Sequence, residues 1–158
     1  MGPVGARDAR LLLLGSLPGD VSLAAQRYYA HPTNQFWRLL GAALGEELAG
    51  IDYAARLGRL AARGVALWDV VGSAERQGSL DGSIRGASAN ALADFAAAHP
   101  RLEAVGFNGQ TSARIGRRAL EGRGLMLIDL PSSSAAYPLA FADKAARWKS
   151  LAGFADPA

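Results

Sequence analysis

Four short apolar runs, separated by segments of helical character, constrain the fold of this chain more than any other feature of its sequence. The runs are Arg10 to Gly15, Val65 to Val71, Ala104 to Phe107 and Leu125 to Leu130. Such runs are typical of strands buried on both faces, and strands that alternate with helices pair in parallel. The pattern predicts an α/β fold, a three-layer αβα sandwich with a central, mainly parallel four-stranded sheet, in a single domain over residues 1–158.

Five segments between and after these runs have the apolar spacing or the caps of helices. They are Gln35 to Leu44, Tyr53 to Arg63, Ser88 to about Ala98, Gln110 to Glu121 and Phe141 to Leu151. Apolar residues recur three and four positions apart in the first two, and a serine is a good N-cap for the third. We expect these helices to cover both faces of the sheet.

The chain has no cysteine and two histidines, which removes several kinds of site. Disulfide frameworks, zinc–thiolate centres and cysteine-bound iron–sulfur clusters all need cysteines. We expect no metal and no cofactor. The apolar run Leu11 to Leu14, preceded by Arg7 and Arg10, weakly resembles a signal peptide, but Gly15 ends the run. Since no segment approaches the roughly 20 apolar residues of a membrane span, we expect a soluble cytoplasmic protein without a membrane partner.

Basic residues number 17, of which 15 are arginines, against 14 acidic residues. Arginine suits bidentate phosphate contacts, although an arginine-rich composition also arises from coding bias. Lys144, Arg147 and Lys149 fall on or near one side of the last predicted helix. The cluster Arg114, Arg117 and Arg118 is interpreted as a solvated helix face, with a phosphate-binding surface as the alternative.

Parallel sheets bind ligands beyond the carboxyl ends of their strands, and this rule points to four loops. They are Gly15 to Gly19, Gly72 to Gly86, Asn108 to Gln110 and Pro131 to Ser134. The sequence holds no Walker A loop, no G-x-G-x-x-G fingerprint and no G-x-S-x-G nucleophile elbow. A Ser–His pair between the serines of the last loop and His31 stays open as an alternative.

Residues with chemical potential are densest from Gly15 to Trp37. A glycine-rich turn is followed by two tyrosines, His-Pro, Asn and Phe-Trp. Phe36 begins a predicted helix and is expected in the core, whereas Tyr28 and Tyr29 lie in the connecting segment. An aromatic face is what a nucleobase needs for stacking, at roughly 1–3 kcal/mol per base.

Eight segments, in order along nearly the whole chain, carry a resemblance to a known family. They are Gly15 to Gly19, Ser22-Leu23, Tyr28 to Pro32, Asn34 to Trp37, Leu67 to Val70, Gly78 to Asp81, Phe107 to Gly109 and Leu130 to Ser134. On these segments the chain resembles the uracil-DNA glycosylase superfamily, and most of all its hypoxanthine-DNA glycosylase (DNA-deoxyinosine glycosylase) branch. The resemblance implies the same α/β sandwich.

The reaction that the resemblance implies is hydrolysis of the N-glycosidic bond of a damaged base, in double-stranded or single-stranded DNA. The enzyme must extrude the nucleotide into a pocket before it can reach the bond. Cleavage then passes through an oxocarbenium-like sugar, so a positioned water and stabilisation of the departing base suffice. We expect a monomeric repair enzyme that acts at the nucleoid.

Asn34 is the catalytic residue that the resemblance implies. In the hypoxanthine branch the essential Asn lies in the Asn-x-Phe-Trp segment, and Asn34 would orient the water through its side-chain oxygen. The alternative is that Asn34 caps the helix that follows. Other branches hold the water with an Asp or Asn in the first loop, where this chain has Leu17. That departure counts against ordinary uracil excision.

The resemblance implies that the first loop and the side chains of Tyr29 and His31 bind the substrate. The first loop comprises Gly15, Ser16, Leu17, Pro18 and Gly19, and the backbone amides of its second and last residues would bond the base or the sugar. Tyr29 would stack on the extruded base. His31 either donates a proton or a hydrogen bond to a phosphate or the leaving base, or bonds the loop backbone.

Asn108 would read an edge of the base, such as O6 or N7 of hypoxanthine, or else form a turn before Gly109. Asp69, Ser79 and Asp81 are secondary candidates, because acidic groups near DNA are usually kept for bracing loops.

The last motif implies that a serine loop binds DNA phosphates and helps to open the base stack. The serine loop comprises Ser132, Ser133 and Ser134. Leu130 stands where other branches have His or Asn, so a contact to the leaving base is missing and Asn108 or a main-chain donor has to compensate. Tyr137 either inserts into the stack or packs beneath the loop.

Three other functions stay open on the sequence alone. The first is a uracil or mixed-specificity DNA glycosylase. The second is a catalytically inert nucleic-acid-binding module of the same fold, which would bind DNA in a salt-sensitive way without releasing a base. The third is a small-molecule hydrolase or nucleotide-binding protein, which should ignore duplex DNA.

Overall fold

A five-stranded, mostly parallel sheet lies at the centre of the computed structural model, which describes residues 1–71 and 91–158. The strands are β1 (Val4–Gly5), β2 (Leu11–Gly15), β3 (Val65–Asp69), β4 (Ala104–Asn108) and β5 (Met126–Leu130), in the order β1-β3-β2-β4-β5. The predicted α/β sandwich is confirmed, but the predicted strand number of four is wrong. The additional strand, β1, pairs antiparallel with β3 and is only two residues long, too short to show as an apolar run.

Six α-helices and a 3-10 helix are described around the sheet. They are α1 (Asp20–Ala25), α2 (Phe36–Leu44), α3 (Tyr53–Ala62), α4 (residues 91–98), α5 (Gln110–Leu120), α6 (Phe141–Trp148) and the 3-10 helix Lys149–Phe154. The last predicted helix extended to Leu151. In the structure α6 ends at Trp148, and the chain continues as the 3-10 helix. The expected Ser88 cap of α4 lies outside the described residues.

The central strand β2 divides the core between two layers because its side chains alternate. Leu11 and Leu13 point to a cluster with residues of α2, α3 and α6, among them the fully buried Trp148. Leu12 and Leu14 point to a second cluster with residues of α4 and α5. Since alternate strand residues face opposite sides, one leucine run supplies both cores, and helices cover both faces of the sheet.

The parallel register brings the carboxyl ends of the strands to one edge of the sheet. Gly15 at the end of β2 pairs with Asp69 at the end of β3, and Asn108 at the end of β4 pairs with Leu130 at the end of β5. The loops that leave these ends therefore meet at the same place. Among the described residues, no helix has the length and apolarity needed to cross a membrane.

Candidate functional site

A pocket of about 280 Å³ opens at this edge of the sheet. Its lining residues are Gly15, Ser16, Leu17, Pro18, Gly19, Ser22, Tyr28, Tyr29, His31, Asn34, Asp69, Asn108, Ser132, Ser133 and Ser134. Every site residue predicted from the sequence lies here, apart from Ser79 and Asp81. Those two, with the rest of the predicted loop Gly72 to Gly86, lie outside the described residues.

The adjacent tyrosines Tyr28 and Tyr29 take different environments. Tyr28 is buried, and its hydroxyl donates to the carbonyl of Gly2 at 2.7 Å. Tyr29 has φ +56°, a left-handed backbone that side chains other than glycine rarely adopt. The next residue, Ala30, donates its N–H to Ser22 Oγ at 3.1 Å, which holds this turn to α1. The turn directs Tyr29 to the pocket, whereas Tyr28 touches the pocket wall but lies almost entirely in the core.

One face of the Tyr29 ring is covered by Phe36, the first residue of α2. The two ring centroids lie 3.8 Å apart and the planes are within 7° of parallel. Phe36 is itself fully buried and contacts Trp148 edge-to-face with centroids 5.5 Å apart. The core thus supports one face of Tyr29, and only the other face is available to a flat ligand.

Gly15 lets two polar groups approach the end of β2. A Cβ on Gly15 would lie 2.5 Å from Asp69 Oδ1 and 2.7 Å from Tyr29 Oη, closer than any side chain tolerates. The Tyr29 hydroxyl is buried and makes no hydrogen bond of good geometry with the described residues, but the Asn108 side chain lies close enough to oppose the rise in its pKa. The close approach needs the missing side chain of glycine, not a special backbone angle.

Asp69 is a carboxylic acid with a strongly perturbed pKa. Only 8% of the residue is exposed, and burial raises its pKa from 3.8 to about 7, against a smaller opposing effect of the Met1 ammonium. Burial, followed by the Asp69 charge, also raises the pKa of Tyr29. The pocket therefore contains a carboxyl group that is partly protonated near neutrality.

The Asn34 side chain bonds both the start of α2 and the serine loop. Its Oδ1 accepts the N–H of Phe36 at 2.9 Å, which satisfies one of the free amides at the start of α2. The same oxygen accepts the Ser133 hydroxyl at 2.8 Å. A carbonyl oxygen has two lone pairs, so the described residues occupy both, and no described residue accepts a hydrogen bond from Nδ2.

Asn108 braces the serine loop. Its Oδ1 accepts the Ser133 N–H at 2.8 Å, and its Nδ2 donates to Ser133 Oγ at the same distance. Ser133 is thereby the middle of a chain of side-chain hydrogen bonds that joins Asn108 to Asn34. The backbone adds a further tie, since the Gln35 N–H donates to the Ser133 carbonyl at 2.9 Å.

Of the more exposed candidates, His31 and Leu17 line the pocket, whereas Tyr137 and Arg117 lie outside its lining. His31 is exposed, and its Nδ1 accepts the N–H of Thr33 at 3.2 Å, which is the loop-backbone contact of the structural interpretation. Leu17 and Tyr137 are each 39% exposed. Arg117 pairs with Asp129 at 3.0 Å on the face of α5.

Sequence reasoning missed one buried neighbour of the pocket, Lys144. Lys144 was expected on the charged side of α6 with Arg147 and Lys149; the structure leaves those two exposed but buries Lys144 completely. Its Nζ donates to Gln35 Oε1 at 2.8 Å and to the Ser134 carbonyl at 2.9 Å. Helical periodicity alone could have placed Lys144 four residues before the buried Trp148. In the described ranges, no group of three or more histidine, aspartate and glutamate residues is placed to hold a metal ion.

Comparisons with known proteins show which family this chain is similar to. A family model described as Uracil DNA glycosylase superfamily matches residues 3–152. A protein of Methanosarcina barkeri named hypoxanthine DNA glycosylase is 43% identical over 110 residues, 70% of each chain. A protein of the same name from Methanosarcina acetivorans is 35% identical over 144 residues, 91% of this chain and 90% of that one.

A solved structure has the same fold. It is a solution NMR structure of a protein of Methanosarcina acetivorans described as a candidate uracil DNA glycosylase. It aligns with a TM-score of 0.80 and 34% identity, over 95% of this chain and 92% of its own.

Proposed function

Because the chain belongs to the uracil-DNA glycosylase superfamily, we propose that it is a DNA repair glycosylase that releases hypoxanthine from deoxyinosine. The choice of hypoxanthine is supported by the names of both curated relatives. The single observation that carries the proposal is that Tyr29 and Asn34 line one pocket, because a stacking ring and a water-holding amide must act on the same nucleoside.

The flipped base enters the pocket and stacks on the free face of Tyr29. A base inside a duplex cannot be reached, so the nucleotide must first swing out of the helix. Phe36 supports the ring from behind, which keeps the stacking surface in place without cost at the moment of binding. The backbone amides of the first loop, with Leu17 at the rim, bond the base or the sugar.

Asn34 holds the water that attacks the sugar. The bond between C1′ and the base nitrogen breaks, and its electron pair leaves with the base. The water oxygen then forms the new bond to C1′ of the oxocarbenium-like sugar and loses a proton to solvent, while the departing base gains one. An amide suffices because the reactive sugar needs a correctly placed water more than a strong base.

The Ser133 hydroxyl controls access to the Asn34 oxygen. Both lone pairs of Oδ1 are engaged before substrate binds, one by the Phe36 N–H and one by Ser133. Because Ser133 is only 1% exposed, a DNA phosphate binds the half-buried Ser132 or Ser134 and not this hydroxyl. Asn34 then holds the water through its Nδ2 group, from which no described residue accepts a hydrogen bond.

Asn108 keeps one amide N–H for the edge of the base after its bonds to Ser133.

The substrate is double-stranded or single-stranded DNA, bound by one copy of the protein at the nucleoid in the cytoplasm. His31 at the rim supplies a hydrogen bond to a phosphate or to the leaving base.

The decisive experiment measures base release from a duplex that carries one deoxyinosine. Purified protein without added metal should make the strand alkali-labile at that site, and Asn34→Ala should abolish release while it still binds the duplex. A wild-type protein that matches its heat-inactivated control would refute the proposed function. A normal rate for Asn34→Ala would leave that residue as a helix cap only.

A second candidate is uracil or mixed-base release, which the description of the Methanosarcina acetivorans structure favours. The exposed Leu17 favours hypoxanthine instead, since it cannot hold the water that the first loop binds in other branches. Release from otherwise identical uracil, hypoxanthine and xanthine duplexes, at equal enzyme concentration, separates the two. Faster release of uracil than of hypoxanthine would contradict our choice of base.

A further inference from the structure

The buried ammonium group of Lys144 adds a second bridge between two segments that are also joined by the backbone bond from Gln35 to Ser133. Its hydrogen bond to Gln35 Oε1 reaches the residue after Asn34, and its bond to the Ser134 carbonyl reaches the residue after Ser133. Lys144 therefore ties together the immediate neighbours of the two side chains that share the Asn34 oxygen.

The setting of this ammonium is unusual because its partners are neutral. Lys144 is 0% exposed, and among the described residues no carboxylate forms an ion pair with it. Its third contact is the ring of Tyr137, whose centroid lies 5.5 Å from Nζ. A buried charge is costly unless it is well bonded, and lysine is rarely buried without a role. Burial also lowers the pKa of this group.

We propose that Lys144 is a positioning residue of the glycosylase reaction: it fixes the serine loop against the Asn34 segment, and so sets where the water and the sugar meet. This inference rests on the proposed function. Bonds from a charged donor are roughly twice as strong as neutral ones, which suits a contact that must hold two irregular segments in place. The two acceptors lie on different segments, 2.8 and 2.9 Å from Nζ, an arrangement that suits a point-like ammonium better than a planar guanidinium fork.

The contact acts on chemistry rather than on affinity. Lys144 does not reach the solvent surface, so it touches no phosphate, and the Ser133 side chain keeps its own bonds to Asn108 without it. Small errors in the placement of reacting groups reduce rates by up to about 100-fold without a matching loss of binding. Loss of Lys144 should therefore lower the rate of the bound complex more than it weakens binding.

The test compares K144M with the matched control K149M, which removes an exposed lysine from the adjoining 3-10 helix. Single-turnover release of hypoxanthine is measured at saturating enzyme, and affinity is measured on a duplex with an uncleavable abasic analogue. We expect K144M to lose roughly 10- to 100-fold in rate with less than about threefold change in Kd. K149M should keep the wild-type rate.

A milder variant covers the case in which K144M does not fold. Gln35→Met removes one acceptor of Lys144 and leaves the Gln35 backbone bond to Ser133 intact. It should reduce the single-turnover rate by several-fold at unchanged Kd. K144R should not restore the rate, because its fork cannot make the same two bonds.

The outcomes separate the two proposals. An active wild type together with wild-type rates for K144M, or for Gln35→Met if K144M does not fold, overturns the positioning role and leaves the proposed function standing. A loss confined to Kd also overturns it. A wild type that releases no hypoxanthine overturns the proposed function, and the positioning role with it.

Discussion

The perturbed carboxyl of Asp69 makes the stability of this protein depend on pH in an unusual direction. In the folded chain its pKa is raised to about 7, whereas the ordinary value is 3.8. Below about pH 4 the group is protonated in both states and contributes no pH dependence. Between those values the unfolded chain has lost the proton that the folded chain still holds, so the free energy of unfolding falls as pH rises.

The size of the effect follows from the shift. Each unit of difference in pKa corresponds to about 1.4 kcal/mol, so ionisation of the buried Asp69 removes roughly 4 kcal/mol of stability in all by pH 8. About 3 kcal/mol of this is lost between pH 5 and pH 8, because the loss ends near the folded pKa. Asp69→Asn keeps the shape of the side chain without a group that ionises, and should lose none of this stability.

Urea unfolding followed by tryptophan fluorescence at pH 5, 6, 7 and 8 measures the difference. Wild type should weaken relative to Asp69→Asn by about 3 kcal/mol across that range. Asp143→Asn, which neutralises an exposed carboxyl on α6, is the matched control and should follow the wild type. A gap between wild type and Asp69→Asn that stays constant within about 1 kcal/mol at all four pH values would show that the pKa of Asp69 is not raised in the folded protein.

Three further substitutions test the pocket. Tyr29→Phe removes a buried hydroxyl that makes no hydrogen bond of good geometry with the described residues, so thermal denaturation should show unchanged or slightly raised stability; a loss above about 1 kcal/mol would reveal a bond to that hydroxyl. Gly15→Ala places a methyl against Asp69 and Tyr29 and should lower the free energy of unfolding in urea by about 1–3 kcal/mol. The control Gly58→Ala, which has open space around it in α3, should raise that free energy by up to about 1 kcal/mol. Equal stabilities of the two alanine variants would contradict the crowding at Gly15. Ser133→Ala removes the buried hydroxyl that bonds Asn34 and should lower single-turnover release by roughly tenfold at unchanged Kd, and a loss confined to Kd would argue against this role.

The sheet and most helices were predictable because burial imposes a pattern on the sequence. Leu11 to Leu14 must fill two cores at once, so their strand is a continuous apolar run. The edge strand Val4–Gly5 carries no such pattern, since it is held by backbone pairing to β3. Fold class therefore follows from side-chain periodicity, whereas a short edge strand does not.

The residues that line the site could be predicted from the sequence better than the hydrogen bonds between them. Strand ends and the resemblance predicted Tyr29, Asn34, Asn108 and the serine loop, and these line one pocket. Their roles stay predictions. That both lone pairs of the Asn34 oxygen are occupied, and that Lys144 lies behind the loop, depends on contacts between residues about 100 positions apart. Local pattern contains no information about such contacts.

Because Tyr28 and Tyr29 have different structural roles, insertions and deletions before them are constrained. Because the Tyr28 hydroxyl is anchored to the carbonyl of Gly2, and its own carbonyl accepts the indole N–H of Trp37, the register of the whole segment is pinned at both sides. Inserting or deleting one residue before this pair would move a different side chain into the position of the anchored Tyr28 and of the stacking Tyr29. Length variation among relatives should therefore avoid this stretch, even where its individual side chains tolerate replacement.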